Sequence, residues 1–116
     1  MNVYRNKKIL IVGLGFSGGG VGVTKFLAEN GAHIFVVDRK TKKELRQSIA
    51  QLKRYKNIRY FLGKNVEHRV FNKFQYVEHR IFDMAVVNPA VDLRSVFVKK
   101  IRKAGIPIES ELGLFL

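Results

Sequence analysis

Gly13-Leu14-Gly15-Phe16-Ser17-Gly18 spells GxGxxG. It stands directly after the apolar run Lys8-Ile9-Leu10-Ile11-Val12 and ahead of a helical pattern. In that context the glycines allow a tight turn, close approach of backbone to a phosphate, and close helix–strand packing. The helix N-terminus beyond them offers free amides and partial positive charge to an anion. Ser17 can cap that helix or donate to a phosphate oxygen. Asp38 lies 20 residues beyond Gly18, at the end of a second apolar run. A carboxylate there accepts hydrogen bonds from ribose hydroxyls or a base edge. The plain alternative is a structural glycine turn and a surface aspartate. Binding of a nucleotide or dinucleotide is the reading this spacing favours.

Arg39 and Lys40 follow Asp38. Basic residues at that place can hold a ribose 2′-phosphate, or simply be solvated. Gly19, Gly20 and Gly22 weaken the first helix by up to about 1 kcal/mol each relative to Ala. Close helix–sheet packing explains them better than a mobile ligand loop. Asn88-Pro89-Ala90 closes a later apolar run, where Pro89 fixes φ and shapes a loop, or merely stops a strand. His68 and His79 stand among Arg and Phe with no third ligand at metal-binding spacing, so no metal site is expected. GxxxxGK[ST] is missing, and no Ser/His/Asp arrangement suggests itself. No catalytic residue is assigned.

These residues need elements to position them. Lys8–Val12, His33–Asp38, Ile58–Leu62, Phe82–Val87 and Ile106–Glu109 read as strands, the first ones apolar enough to be buried on both faces. Ser17–Asn30 carries Val23, Phe26, Leu27 and Asn30 at helical spacing, and Asn30-Gly31 stops it. Thr41-Lys42-Lys43-Glu44 has capping-box spacing ahead of the stripe Leu45, Ile49, Leu52. Val66–His79 fits a helical face, and Leu93–Ala104 a helix ended by Gly105. Pro107 suggests an edge for the last strand. Alternating strands and helices build an α/β fold, an open parallel five-stranded Rossmann-like sheet with helices on both faces. Its ligands bind beyond the carboxyl ends of the strands. That rule gathers Gly13 to Ser17, Asp38 to Lys40, Gly63-Lys64 and Asn88 to Ala90.

The chain has 116 residues, 47% hydrophobic and 27% charged, which suits one soluble globular domain. Having no cysteine, it has no disulfide, thiolate metal site or Cys nucleophile. The run Ile9 to Thr24 is too short and Gly-rich to span a membrane, and no export signal opens the chain. The net charge is +13, which suits an anionic partner. The basic residues are spread, with no compact tail and no interleaved aromatics, so dedicated nucleic-acid binding is disfavoured.

The glycine motif after its strand, Val36-Val37-Asp38, Phe82 to Val91 and Ala104-Gly105-Ile106-Pro107-Ile108-Glu109-Ser110-Glu111-Leu112 occur in order at fitting separations. Together they resemble the first domain of the Mur ligases, above all those that add D-glutamate to UDP-N-acetylmuramoyl-L-alanine. The resemblance implies a single UDP-binding domain over residues 1–116, the first of three in a cytoplasmic enzyme of peptidoglycan synthesis. It implies ATP and Mg as cofactors of that parent but not of this stretch, which alone is expected to be inactive. ATP-binding and D-glutamate-binding domains would follow, as the apolar last residues Leu112 to Leu116 also suggest. The UDP contacts it implies fall on Phe16 and Ser17, on Asp38, Arg39 and Lys40, and on Asn88, Pro89 and Ala90. Ala90 stands where that family favours Gly. Gly19 and Gly20 replace bulkier residues, and Gly63 to Asp83 is long for the family. An NAD(P)-binding domain of a dehydrogenase, or a nucleotide-sensing module, is the competing reading.

Overall fold

The computed structural model describes residues 2–15, 19–74, 81–92 and 94–109. Among these residues five strands form one sheet: β1 (Lys8–Val12), β2 (His33–Asp38), β3 (Ile58–Leu62), β4 (Met84–Val87) and β5 (Ile108–Glu109). Their order is β3-β2-β1-β4-β5, and every pairing is parallel. Among the described residues four helices alternate with them: α1 (Gly19–Glu29), α2 (Arg46–Ala50), α3 (Val66–Phe74) and α4 (Val96–Lys103). The chain steps outward from β1 to β3, then returns to lay β4 on the other side of β1. Strand order therefore reverses between β1 and β4, which is where such sheets open a crevice.

Alternation along the strands explains the layers. Ile9 and Ile11 of β1 face one core with Val21, Val23 and Leu27 of α1, and Leu52 after α2. Leu10 and Val12 face the other core with Val66 and Val70 of α3, and Phe97, Val98 and Ile101 of α4. Burial on both faces makes the strand sequences continuously apolar rather than alternating. Phe35 lies edge-on to Phe82, with ring centroids 5.3 Å apart, and extends the second core toward β3.

The predicted helix stops hold. Gly31 N–H donates to Ala28 and Ala32 N–H to Leu27, and the same pair of bonds joins Gly105 to Arg102 and Ile106 to Ile101. Both are Schellman caps, which satisfy the last carbonyls of a helix through a residue that glycine suits best. Several boundaries move. Helix α4 begins at Val96 rather than Leu93, because the extended Ser95 caps it by accepting from Val98 N–H at 3.2 Å. Strand β4 begins at Met84 rather than Phe82, and β5 keeps only Ile108 and Glu109, at the sheet edge that Pro107 suggested. The helix expected over Val66–His79 is described as far as Phe74; residues 75–80 and the segment after Glu109 lie outside the described residues.

The capping box closes, but on the turns that lead into α2. Glu44 N–H donates to Thr41 Oγ1 at 3.2 Å, and Thr41 N–H donates to Glu44 Oε1 at 3.0 Å. Those bonds from Thr41, with Lys40 nearby, hold the Glu44 carboxyl below its ordinary range. A depressed carboxyl stabilises the fold above its unfolded pKa, and that contribution is lost as pH falls through the folded pKa. Thr41→Ala removes the hydroxyl but keeps the backbone N–H that lowers the Glu44 carboxyl most, so the Glu44 titration midpoint, read by carboxyl NMR, is expected to rise only part of the way toward the ordinary glutamate value. An unmoved midpoint would mean that the box does not persist in solution.

Candidate functional site

A cleft of about 390 Å³ opens at the carboxyl ends of β1, β2 and β4. Gly13, Gly15, Asp38, Arg39, Lys40, Asn88 and Ala90 line it, together with Glu67, Val91, Asp92 and Ser95. The topology thus brings together residues that are up to 82 positions apart (Gly13 to Ser95). Of the site residues predicted from sequence, Pro89 lies in the turn between Asn88 and Ala90 and is not among the lining residues. Phe16, Ser17 and Gly18 lie outside the described residues.

Asp38 organises the floor. Its Oδ2 accepts from Leu14 N–H at 2.9 Å and, at a longer 3.4 Å, from Gly15 N–H. Its Oδ1 accepts from Lys40 N–H at 2.9 Å. The side chain is buried. A carboxylate held by backbone amides fixes the glycine turn relative to β2. Charge-assisted bonds of this kind are worth more than neutral ones. The sequence assigns this aspartate to a ligand; the structure also gives it this internal role.

The glycine turn is held from three further sides. Gly13 has φ +89°, a conformation that disfavours a side chain, and an added Cβ would lie 3.0 Å from Asn88 Cβ and 3.1 Å from Val91 Cγ2. Asn88 Nδ2 donates to Gly13 O at 3.3 Å, and Asn88 Oδ1 accepts from Ala90 N–H at 2.9 Å. One side chain therefore links the β1 and β4 loops across the switch point. Ser48 of α2 is buried and donates to Gly15 O at 2.8 Å. Gly20, at the start of α1, sits so close that a Cβ would lie 2.1 Å from Leu14 O. Close packing is thus the reason for this glycine.

The rim is charged in both senses. Arg39 Nε donates to both carboxylate oxygens of Glu67, at 2.8 and 2.9 Å. Asp92 is held below the ordinary carboxylate range, first by Arg94 N–H and then by the Arg94 side chain. Among the described residues three acidic and two basic side chains line the cleft, although the whole chain carries +13. The chain's positive excess is therefore not concentrated here. An anion in this cleft would depend on backbone amides and helix ends more than on side-chain cations.

Ser48 and Glu67 escaped the sequence reading. Ser48 is the polar residue on the apolar side of a short helix, between Leu45 and Leu52, and that mismatch was the available signal. Glu67 opens a helix predicted only from its apolar face, and nothing local ties it to Arg39, 28 residues away.

A doubly covered parallel sheet with a glycine turn, an acid at the end of β2 and a cleft at the switch point defines a Rossmann-like α/β domain. The chain belongs to the family of Mur ligase MurD-like N-terminal domains, whose model matches residues 7–110. It is 37% identical over 113 residues to UDP-N-acetylmuramoylalanine–D-glutamate ligase of Borreliella burgdorferi strain ZS7, covering 97% of this chain and 22% of that protein. The enzyme of the same name from Roseiflexus sp. strain RS-1 is 38% identical over 109 residues, 94% of this chain and 21% of that protein. The one from Treponema pallidum strain Nichols is 33% identical over 113 residues, 97% of this chain and 20% of that protein. The chain thus spans about a fifth of the length of these curated relatives. Among the described residues no helix is long and apolar enough to cross a membrane.

Proposed function

We propose that this domain holds the UDP end of UDP-N-acetylmuramoyl-L-alanine for an ATP-dependent, D-glutamate-adding ligase of cytoplasmic peptidoglycan synthesis. The observation that carries the reading is the Asp38 clamp on the glycine turn. It presents the turn at the mouth of a cleft whose residues come from both sides of the switch point. A carboxylate offers about four acceptor positions, and three amides use Asp38, so about one remains for a ribose hydroxyl. The diphosphate lies on the glycine turn and the start of α1, with Phe16, Ser17 and Gly18 beside it. Arg39, Lys40, Asn88, Pro89 and Ala90 surround the nucleoside. This chain contributes binding and no catalytic group. It lacks the GxxxxGK[ST] loop that cradles ATP phosphates. The phosphoryl and amide-forming steps, with their ATP and Mg, belong to the D-glutamate- and ATP-binding domains of the parent.

Glycine turns recognise a diphosphate whoever carries it, so the test compares carriers. UDP-N-acetylmuramoyl-L-alanine is expected to shift the amide resonances of Phe16, Ser17, Asp38 and Ala90 at physiological salt. There the Debye length of about 8 Å suppresses diffuse attraction to the +13 chain. NAD and NADP at equal concentration are expected to leave them in place. Larger localised shifts with NAD or NADP would replace this reading with a dehydrogenase-type domain.

A further inference from the structure

Glu67 reaches the cleft from α3, while Arg39 reaches it from the end of β2. The two side chains differ in exposure. The Arg39 side chain is 70% exposed, and the Glu67 side chain is 23% exposed. Glu67 lies in the first turn of α3, where the helix dipole favours a carboxylate. Its neighbour Val66 and, one turn on, Val70 are buried against the sheet, so the glutamate has a fixed base. The exposed arginine is thus tied to a glutamate whose helix is packed on the sheet.

The atoms engaged matter. Both carboxylate oxygens take the Nε–H of Arg39. The two terminal amino groups of the guanidinium then have no partner among the described residues. Arg39 directly follows Asp38, and an acid at the end of the second strand of such a sheet meets the ribose. Arg39 therefore stands beside the residue expected to meet the ribose, on the same cleft. A guanidinium held there can stack on a base or donate to its carbonyl oxygens. An unanchored one would first have to be ordered, and that cost weakens binding. The pair also stands on the wall shared by the cleft and a second pocket of about 400 Å³, walled by His68, Val96 and Phe97.

We propose that Glu67 is a positioning residue for nucleoside recognition: it presents the Arg39 guanidinium to the base while touching no ligand itself. The proposal rests on the uridine-nucleotide reading and names a residue from α3 that sets its selectivity. The test uses the 116-residue chain, with UDP and inorganic pyrophosphate as probes in calorimetric titrations. Glu67→Ala is expected to weaken UDP binding about fivefold, a coupling ordinary for residues in direct contact, and to change pyrophosphate binding less than about twofold. Glu67→Gln keeps an oxygen to accept from Nε–H and is expected to recover most of the UDP affinity. In an Arg39→Ala background, Glu67→Ala is expected to add nothing. Unchanged UDP affinity in Glu67→Ala would overturn the proposal. So would parallel losses for both probes, which mark a general structural effect, or tighter binding of both, which marks simple charge repulsion. If the unmodified chain binds pyrophosphate but not UDP, the uridine-nucleotide reading itself fails. If it binds UDP and Glu67→Ala binds it equally well, only the role of Glu67 fails.

Discussion

Gly20→Ala is expected to destabilise the domain by about 3 kcal/mol or more, a fall of roughly 10–20 °C in Tm for a chain of this size. The new Cβ would lie 2.1 Å from Leu14 O, 2.7 Å from Leu14 C and 2.9 Å from Gly13 O. All three atoms are backbone, so no side chain can rotate away. Relief requires α1 to lift from the glycine turn. Lifting it would open the core that Val21, Val23 and Leu27 make with β1 and β2. Helix propensity pulls the other way, because Ala in an open helical position stabilises by about 1 kcal/mol relative to Gly. The two effects differ in sign, so thermal or urea denaturation decides between them. A variant as stable as the unmodified chain, or more so, would show that α1 does not rest on the turn. The same displacement would disturb the diphosphate end of the cleft, so surviving folded protein is expected to bind UDP poorly.

Asp38→Ala is expected to cost about 3 kcal/mol, because it removes a buried charged acceptor from three amides at once. Leu14 and Gly15 N–H would then face a buried space without a partner, while Lys40 N–H is nearer to solvent. The hydrogen bonds are not additive, and the long Gly15 contact contributes least. Asp38→Asn keeps one acceptor oxygen but turns an amino group toward the donors, so an intermediate loss is expected. Urea titration gives the stability, and the Leu14, Gly15 and Lys40 amide resonances report the clamp. Uridine-nucleotide affinity is expected to fall about tenfold or more even where the variant stays folded, because turn and ribose acceptor are lost together. A drop in affinity with unchanged stability would make Asp38 a ligand residue only. A drop in stability with unchanged affinity would make it a clamp only.

GxGxxG located the turn correctly, and the acid 20 residues on was correctly placed at the end of β2. Among the described residues it is Gly20, two positions beyond the motif, that packs closest against the turn, and the spacing of the motif did not say so. Nor did it say what the acid does when no ligand is present. Spacing along a chain reports which atoms can meet; only the placement of α1 and β2 around the turn reports which do.

Sequence by itself determined the class of fold, the number of strands and their succession along the chain, the helix stops at Gly31 and Gly105, and that the loops after β1, β2 and β4 lie at one end of the sheet. These follow from short-range physics: apolar runs that suit a sheet buried on both faces, glycine where a helix must end, and right-handed crossovers that leave few topologies. Tertiary structure alone decided the strand order β3-β2-β1-β4-β5, and with it which loops flank the switch point. It alone joined Arg39 to Glu67, Ser48 to Gly15 and Asn88 to Gly13. Each of those contacts spans 28 to 75 residues. Partners so far apart become neighbours only after the sheet has assembled, and the residue types involved are ordinary on any surface. A local pattern therefore cannot announce them. Their meaning comes from the geometry of the fold, which sets three loops and the start of α3 around one cleft.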